Sequence, residues 1–182
     1  MVGLRKASAY SKKKVLPYTR VSKKKGKSYV KTSPQQKIVK FAMGKEGLYT
    51  RGKLPHVLTL VSSEHVQIRQ NALEACRQYL NKKLDVEFGG QYFFRIFPYS
   101  HHIQRENKML TGAGADRMQT GMQLSFGKTA GKSAIVKPKS NLFMIAVATE
   151  KSTSFIRKLY KQIKSKLPGK VNVVYEKVGK KS

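Results

Sequence analysis

The first 45 residues of this 182-residue chain carry fourteen lysines and arginines and no acid, which decides where a fold can be built. The cations are Arg5, Lys6, Lys12, Lys13, Lys14, Arg20, Lys23, Lys24, Lys25, Lys27, Lys31, Lys37, Lys40 and Lys45, with Tyr10, Tyr18 and Tyr29 set among them. Such a stretch buries too little apolar surface to offset the entropy of ordering its backbone. Residues 1–36 therefore read as a basic arm, disordered alone. Against RNA the arm can order as an extended strand, with tyrosines stacking on bases and lysines meeting phosphates. A solubilising or localisation tail is the plainer reading, and the interleaved tyrosines argue against it.

The whole chain has 38 lysines and arginines against 9 acids, a formal charge of +29. A packed domain with that charge repels itself unless a polyanion neutralises it. Nucleic acid is the first choice of partner and an acidic membrane surface the second. The longest apolar run, residues 142–148, falls far short of the ~20 residues that span a bilayer. The first residues are charged and lack the apolar centre of a secretory leader. The single cysteine, Cys76, allows no internal disulfide and fits a reducing compartment, so the expected location is cytoplasmic.

A second feature is the stretch 105–132, which holds five glycines (Gly112, Gly114, Gly121, Gly127, Gly131) and five cations. Its first half shows neither a helical period nor an alternation. A long glycine-rich run between structured flanks is functional or disordered, and a basic one is suited to reach into something negative.

The remainder, 37–177, reads as one α+β domain followed by a basic tail, 178–182. Alternation predicts strands at 37–41 and 56–61. Ser62-Ser63 is expected to cap a helix over 64–83, with Ile68, Ala72, Ala75, Cys76, Tyr79 and Leu80 on its buried face. Residues 85–88 read as extended, and Gly89-Gly90 as a turn into an aromatic strand at 92–97 that Pro98 ends. Strands at 133–138 and 142–148 are expected to form a hairpin around Lys139-Ser140-Asn141. A second amphipathic helix spans 151–166, with Phe155, Ile156, Leu159, Tyr160, Ile163 and Leu167 inward and Arg157, Lys158, Lys161 and Lys164 outward. Pro168-Gly169 stops it, and a strand follows at 171–175. Two helices on one face of a mixed, mainly antiparallel sheet make a two-layer sandwich, leaving the other face and the glycine stretch for the partner.

No catalytic or metal site emerges. Gly127-Lys128-Thr129-Ala130-Gly131-Lys132-Ser133 resembles a phosphate-binding loop but has three residues between its glycines where four are needed, and a strand pattern follows it. Gly112-Ala113-Gly114-Ala115-Asp116-Arg117 fails the dinucleotide fingerprint at Arg117. Adjacent His101 and His102 would point to opposite faces of a strand. Of the acids only Glu106 and Asp116 fall in the glycine stretch, each beside an arginine (Arg105, Arg117) with which it is expected to pair. Cys76 reads as a small core residue. The chain is expected to be no enzyme, with no cofactor and no small-molecule substrate; an RNA-modifying enzyme or its accessory domain is the rival reading.

Asn107-Lys108-Met109-Leu110, Gly114-Ala115-Asp116-Arg117, Gln119-Thr120-Gly121-Met122 and Phe126-Gly127-Lys128 closely resemble the central motif of the large-subunit ribosomal protein L10e family of archaea and eukaryotes, counterpart of bacterial L16 (uL16). Pro17-Tyr18-Thr19-Arg20, the 37–41 segment with Met43-Gly44, and Ala72-Leu73-Glu74-Ala75-Cys76-Arg77 extend the resemblance along nearly the whole chain. The sequence departs from the family pattern at Ala9, Ala42, Gln123-Leu124-Ser125 and Thr129. The resemblance implies the α/β-hammerhead type of sandwich. It also implies a structural component of the large subunit that binds rRNA between the central protuberance and the peptidyl-transferase region and joins late in maturation. Its glycine loop would point towards tRNA acceptor arms, and neighbouring ribosomal proteins would be further partners. The residues expected to meet rRNA are then Arg5, Lys6, Tyr10, Lys12, Lys13, Lys14, Tyr18, Arg20, Lys23, Lys24, Lys25, Lys40, Lys128, Lys132, Lys158 and Lys161. Carried over by position, the tRNA-facing loop has Arg105, Lys108, Gly112, Gly114, Asp116 and Arg117.

Overall fold

An extended segment that is apolar on both of its faces, as residues 142–147 are, can only sit inside a sheet covered on both sides. A computed structural model of the chain, which describes residues 33–106 and 128–178, places it there. In chain order the elements are β1 (Ala42–Gly44), α1 (Glu46–Thr50), β2 (His56–Ser62), β3 (Val66–Arg69), α2 (Gln70–Phe88), β4 (Tyr92–Ile96), β5 (His102–Glu106), β6 (Lys128–Val136), β7 (Asn141–Val147), α3 (Lys151–Ile163) with a 3-10 turn at Lys164–Lys166, and β8 (Val171–Lys177). Five strands form one sheet in the order β1-β4-β7-β2-β8, and three form another in the order β3-β6-β5. Each of these strand pairs is antiparallel.

Alternation along β7 explains both covers. Phe143, Ile145 and Val147 join Leu58 and Leu60 of β2 and Phe94 and Ile96 of β4 in the main core, beneath α2 and α3. Met144 and Ala146 face the other way, where Val57, Phe93, Leu54 and the partly buried Leu48 and Tyr49 of α1 form a smaller cluster. Each large side chain so buried contributes roughly 1.5–3 kcal/mol relative to exposure. Part of the face expected to be left for a partner is thus closed by α1, a helix the sequence pattern does not announce.

The α+β class with its antiparallel strands is the observed one; several element readings are corrected. Residues 37–40 are irregular, and the strand begins only at Ala42. Ile38 is buried while Val39 is 77% exposed, so the alternation is real. It reports which side is covered, not whether the backbone finds a ladder partner. Ser62-Ser63 caps no helix: Ser62 ends β2, and its Oγ donates to Glu64 O at 2.8 Å. β3 intervenes, so Ile68 is a buried strand residue, and α2 starts at Gln70 after Arg69, which makes no side-chain cap. Residues 85–88 are the last turn of α2, whose buried stripe is Leu73, Cys76, Leu80 and Leu84, and left-handed Gly89 closes it. Ala72 and Tyr79 flank that stripe, partly buried.

The hairpin expected between 133–138 and 142–148 does not form. β6 and β7 follow one another but enter different sheets. Lys139, at φ 63°, turns the corner, donating its N–H to Ser62 O at 2.7 Å. The hairpin that does form joins β5 to β6, and residues 107–127 are its connection. α3 and β8 fall close to where they are expected, with Gly169 at φ 75° and so near Val66 that a Cβ would overlap its side chain.

Candidate nucleic-acid interface

β5 and β6 pair down to Glu106 opposite Lys128, with an irregularity between Gln104 and Arg105. The glycine stretch is therefore shorter than the sequence suggests, since 105–106 and 128–132 are strand, and the phosphate-loop look-alike lies largely within β6. Opposed residues of such a pair stand about 4.5–5.5 Å apart, so the connection leaves and returns at one point.

That hairpin packs where the arm enters the domain. Buried Gln70 ties the entry down: its Nε2 donates to Gln35 O at 3.3 Å, and its Oε1 accepts from Lys37 N at 3.2 Å. Gln35, Lys37, Arg69, Gln70, Gln104, Gly131 and Lys132 line a crevice of about 100 Å³ there. Three cationic residues, one at the start of α2, thus meet beside the hairpin; a helix start favours negative charge. Of the three, only Lys132 stands out in the sequence. Lys37 and Arg69 are visible in the sequence as cations but not as members of a site, because nothing in one-dimensional spacing brings residue 37 beside residue 132.

Lys158 and Lys161 lie exposed on the outer side of α3, with Arg157 and Lys164, as the helical period requires. α3 lies against α2 through Phe88 edge-on to Phe155 at 5.8 Å and Tyr79 Oη donating to Gln162 Oε1 at 2.6 Å. Lys82 and Lys83 are exposed on α2, and Lys166 Nζ sits 5.1 Å from the Tyr79 ring centroid. Exposed Lys40 edges a different cleft, of about 540 Å³, between β1 and α2. The cleft's polar groups answer one another: Tyr92 Oη donates to Asp85 Oδ1 at 2.5 Å, and Arg77 grips Glu74 through two bonds of 2.6 and 2.7 Å. The Arg77 hydrogen bond holds the Glu74 carboxyl below its ordinary range, and burial with Asp85 raises the Tyr92 phenol. Arg77 is committed within the fold rather than offered to a ligand.

Burial raises the Cys76 thiol to about 11, as suits a small core residue. His102 is buried and His101 half-buried, and no cluster of metal-ligating residues occurs among the described residues. Of the other positions singled out from sequence, Arg5, Lys6, Tyr10, Lys12, Lys13, Lys14, Tyr18, Arg20, Lys23, Lys24 and Lys25 lie outside the described residues. So do Lys108, Gly112, Gly114, Asp116, Arg117 and residues 179–182. Arg105 and Lys128 are placed by backbone alone, so the expected Arg105–Glu106 and Arg117–Asp116 pairings also fall outside the description.

A family model described as ribosomal protein L16p/L10e matches residues 16–174. Among individual relatives, the large ribosomal subunit protein uL16 of Pyrobaculum arsenaticum is 38% identical, with 97% of this chain and 93% of that one aligned. Its counterpart in Staphylothermus marinus is 40% identical over 95% and 94%. That of Hyperthermus butylicus is 42% identical over 74% and 69%.

Proposed function

From the premise that the chain belongs to the ribosomal protein L16p/L10e family, we propose that it binds large-subunit rRNA near the peptidyl-transferase region and central protuberance and presents its glycine connection towards tRNA. The family is one of structural ribosomal constituents, not enzymes, and its place is the large subunit of the cytoplasmic ribosome. The single observation that carries the finer reading is the common corner. The arm's entry, the foot of α2 and the β5–β6 hairpin converge there, with Lys37, Arg69 and Lys132 between them. A backbone of phosphates held at that corner by the arm would lie beside the β5–β6 hairpin, from which the 107–127 connection leaves and to which it returns. Anchoring and presentation are then separate jobs: arm and helix cations supply salt-dependent affinity, and residues of the 107–127 connection face tRNA. Joining late in subunit maturation suits a protein whose loop completes the tRNA-facing surface.

Deleting residues 111–115, or Arg117→Ala, tests the division. The altered protein should still co-sediment with the large subunit on a sucrose gradient, while purified particles bind tRNA poorly and form peptide bonds slowly. Loss of incorporation with normal tRNA handling by the residual particles would make the loop an rRNA anchor instead.

A further inference from the structure

We propose that the cleft between the 97–101 connector and the β6–β7 turn is a docking site for one unpaired RNA base; this rests on the rRNA reading above and names a subsite within it. The connector from β4 to β5 sends Phe97, Tyr99 and His101, alternate residues, to one cleft of about 400 Å³. The rest of its lining is residues 134–136 of β6 with Ser140 of the turn and Asn141 at the start of β7. That volume lies in the ~300–1,000 Å³ range of small-ligand sites.

The aromatic rings are exposed yet fixed. Tyr99 is 57% and Phe97 39% exposed, whereas Phe93, Phe94 and Phe143 of the neighbouring strands are buried. Phe41 stacks behind Tyr99 with centroids 5.7 Å apart and planes 28° off parallel. The Arg95 guanidinium sits 5.5 Å from the Phe97 centroid. Each ring is thus backed on one side, so a flat partner arriving at the cleft meets rings whose positions are already set. His101 Nδ1 lies 2.9 Å from Tyr99 O; a carbonyl only accepts, so Nδ1 carries the proton and Nε2 is the acceptor of the neutral ring. An exocyclic amine of a base would complement that nitrogen.

Charge selects the occupant. Among the described residues no acid lines the cleft, the Arg95 guanidinium lies against the Phe97 ring that does line it, and exposed Lys137 and Lys139 lie between its lining residues Val136 and Ser140 in the chain. Lys139 holds its left-handed conformation through the Ser62 hydrogen bond, which fixes the turn against the five-stranded sheet. An apolar peptide would suit the rings and leave the cations idle. A nucleotide uses both, with its base on the rings and its phosphate at the lysines; stacking of this kind is tolerant of base identity.

The test uses the full-length protein and a large-subunit rRNA transcript, with binding measured across a salt series. Phe97→Ala and Tyr99→Ala should each weaken binding by roughly 5- to 150-fold without changing the log–log salt slope, because they remove stacking and no charge. Lys137→Ala should lower the slope by about 0.7. Tyr99→Leu keeps an apolar neighbour for Phe41 and should show the same loss as Tyr99→Ala, which guards against misreading an unfolded variant; Tyr99→Trp should bind normally. Wild-type affinity in the folded Phe97→Ala and Tyr99→Leu variants would overturn the base site. Normal rRNA binding combined with loss from assembled subunits would overturn it in favour of a neighbouring protein. Failure of the wild-type protein itself to bind rRNA would strike the underlying reading instead.

Discussion

Gly44 has φ 84° and so close an approach to Tyr92 that a Cβ would overlap the Tyr92 carbonyl oxygen, which already accepts from Lys45 N at 2.9 Å. Gly44→Ala should therefore cost at least about 2 kcal/mol in urea unfolding, from strain and displacement of that carbonyl. Gly47, three residues on within α1, has ordinary dihedrals and open space around it, and Gly47→Ala should gain ~0.5–1 kcal/mol. The two sites differ in both φ and the space a methyl group would meet, and opposite signs are expected from the two together. The Glu74–Arg77 pair has a different signature. The Glu74 carboxyl is lowered from 4.5 in the folded protein, chiefly by its hydrogen bond from Arg77. Its contribution to stability is present above pH 4.5 and is lost as pH falls through the depressed folded value. Thermal melts should fall over that acid range, and Glu74→Gln should flatten this part of the profile while lowering stability at neutral pH.

At the scale of elements, α3 has two sides that should answer mutation differently. Leu159 is 3% exposed and Ile68, on β3 beneath the helices, is fully buried. A carboxylate at either position would be buried without a partner, so Leu159→Asp and Ile68→Asp should abolish cooperative unfolding. Exposed Lys161→Asp should melt like the wild type and bind rRNA more weakly. Equal loss of stability in all three would contradict the assignment of sides. α3 is legible in the sequence because its thirteen residues repeat one period without interruption. α2 is legible in its middle alone. Its start is obscured because Ile68 continues the helical spacing by coincidence while pairing with Ala134 in a sheet. Its end is obscured because Asp85-Val86-Glu87 leaves only Leu84 and Phe88 to carry the period. The β6–β7 connection misleads for a more general reason. Two strands separated by a tight turn look like a hairpin whether they pair with each other or part at the corner, and only their distant partners decide. The candidate site divides the same way. Its cations are legible one by one, whereas the corner built by Gln70, Lys37 and Lys132 is a tertiary fact.

For the whole molecule, a charge of +29 makes affinity for rRNA a function of salt. Each lysine taken away from a phosphate should reduce the log–log slope by roughly 0.7–0.9, and combined substitution of Lys158 and Lys161 should remove about twice that. Removal of residues 1–32 should lower the slope far more while leaving the thermal midpoint of the domain nearly unchanged, a comparison that separates binding from folding. β2 is an inner strand only because β8 lies against it, His56 facing Lys177 and Ser62 facing Val171. The two partners are more than a hundred residues apart in sequence, a pairing that is slow to find and that no nascent chain can make until β8 has left the synthesising ribosome. The cations of residues 1–45 are made before β2, and the strand that completes the sheet comes after every other described element. For most of its own translation, then, this polycation exists without the scaffold that directs it to a particular RNA, surrounded by other RNA.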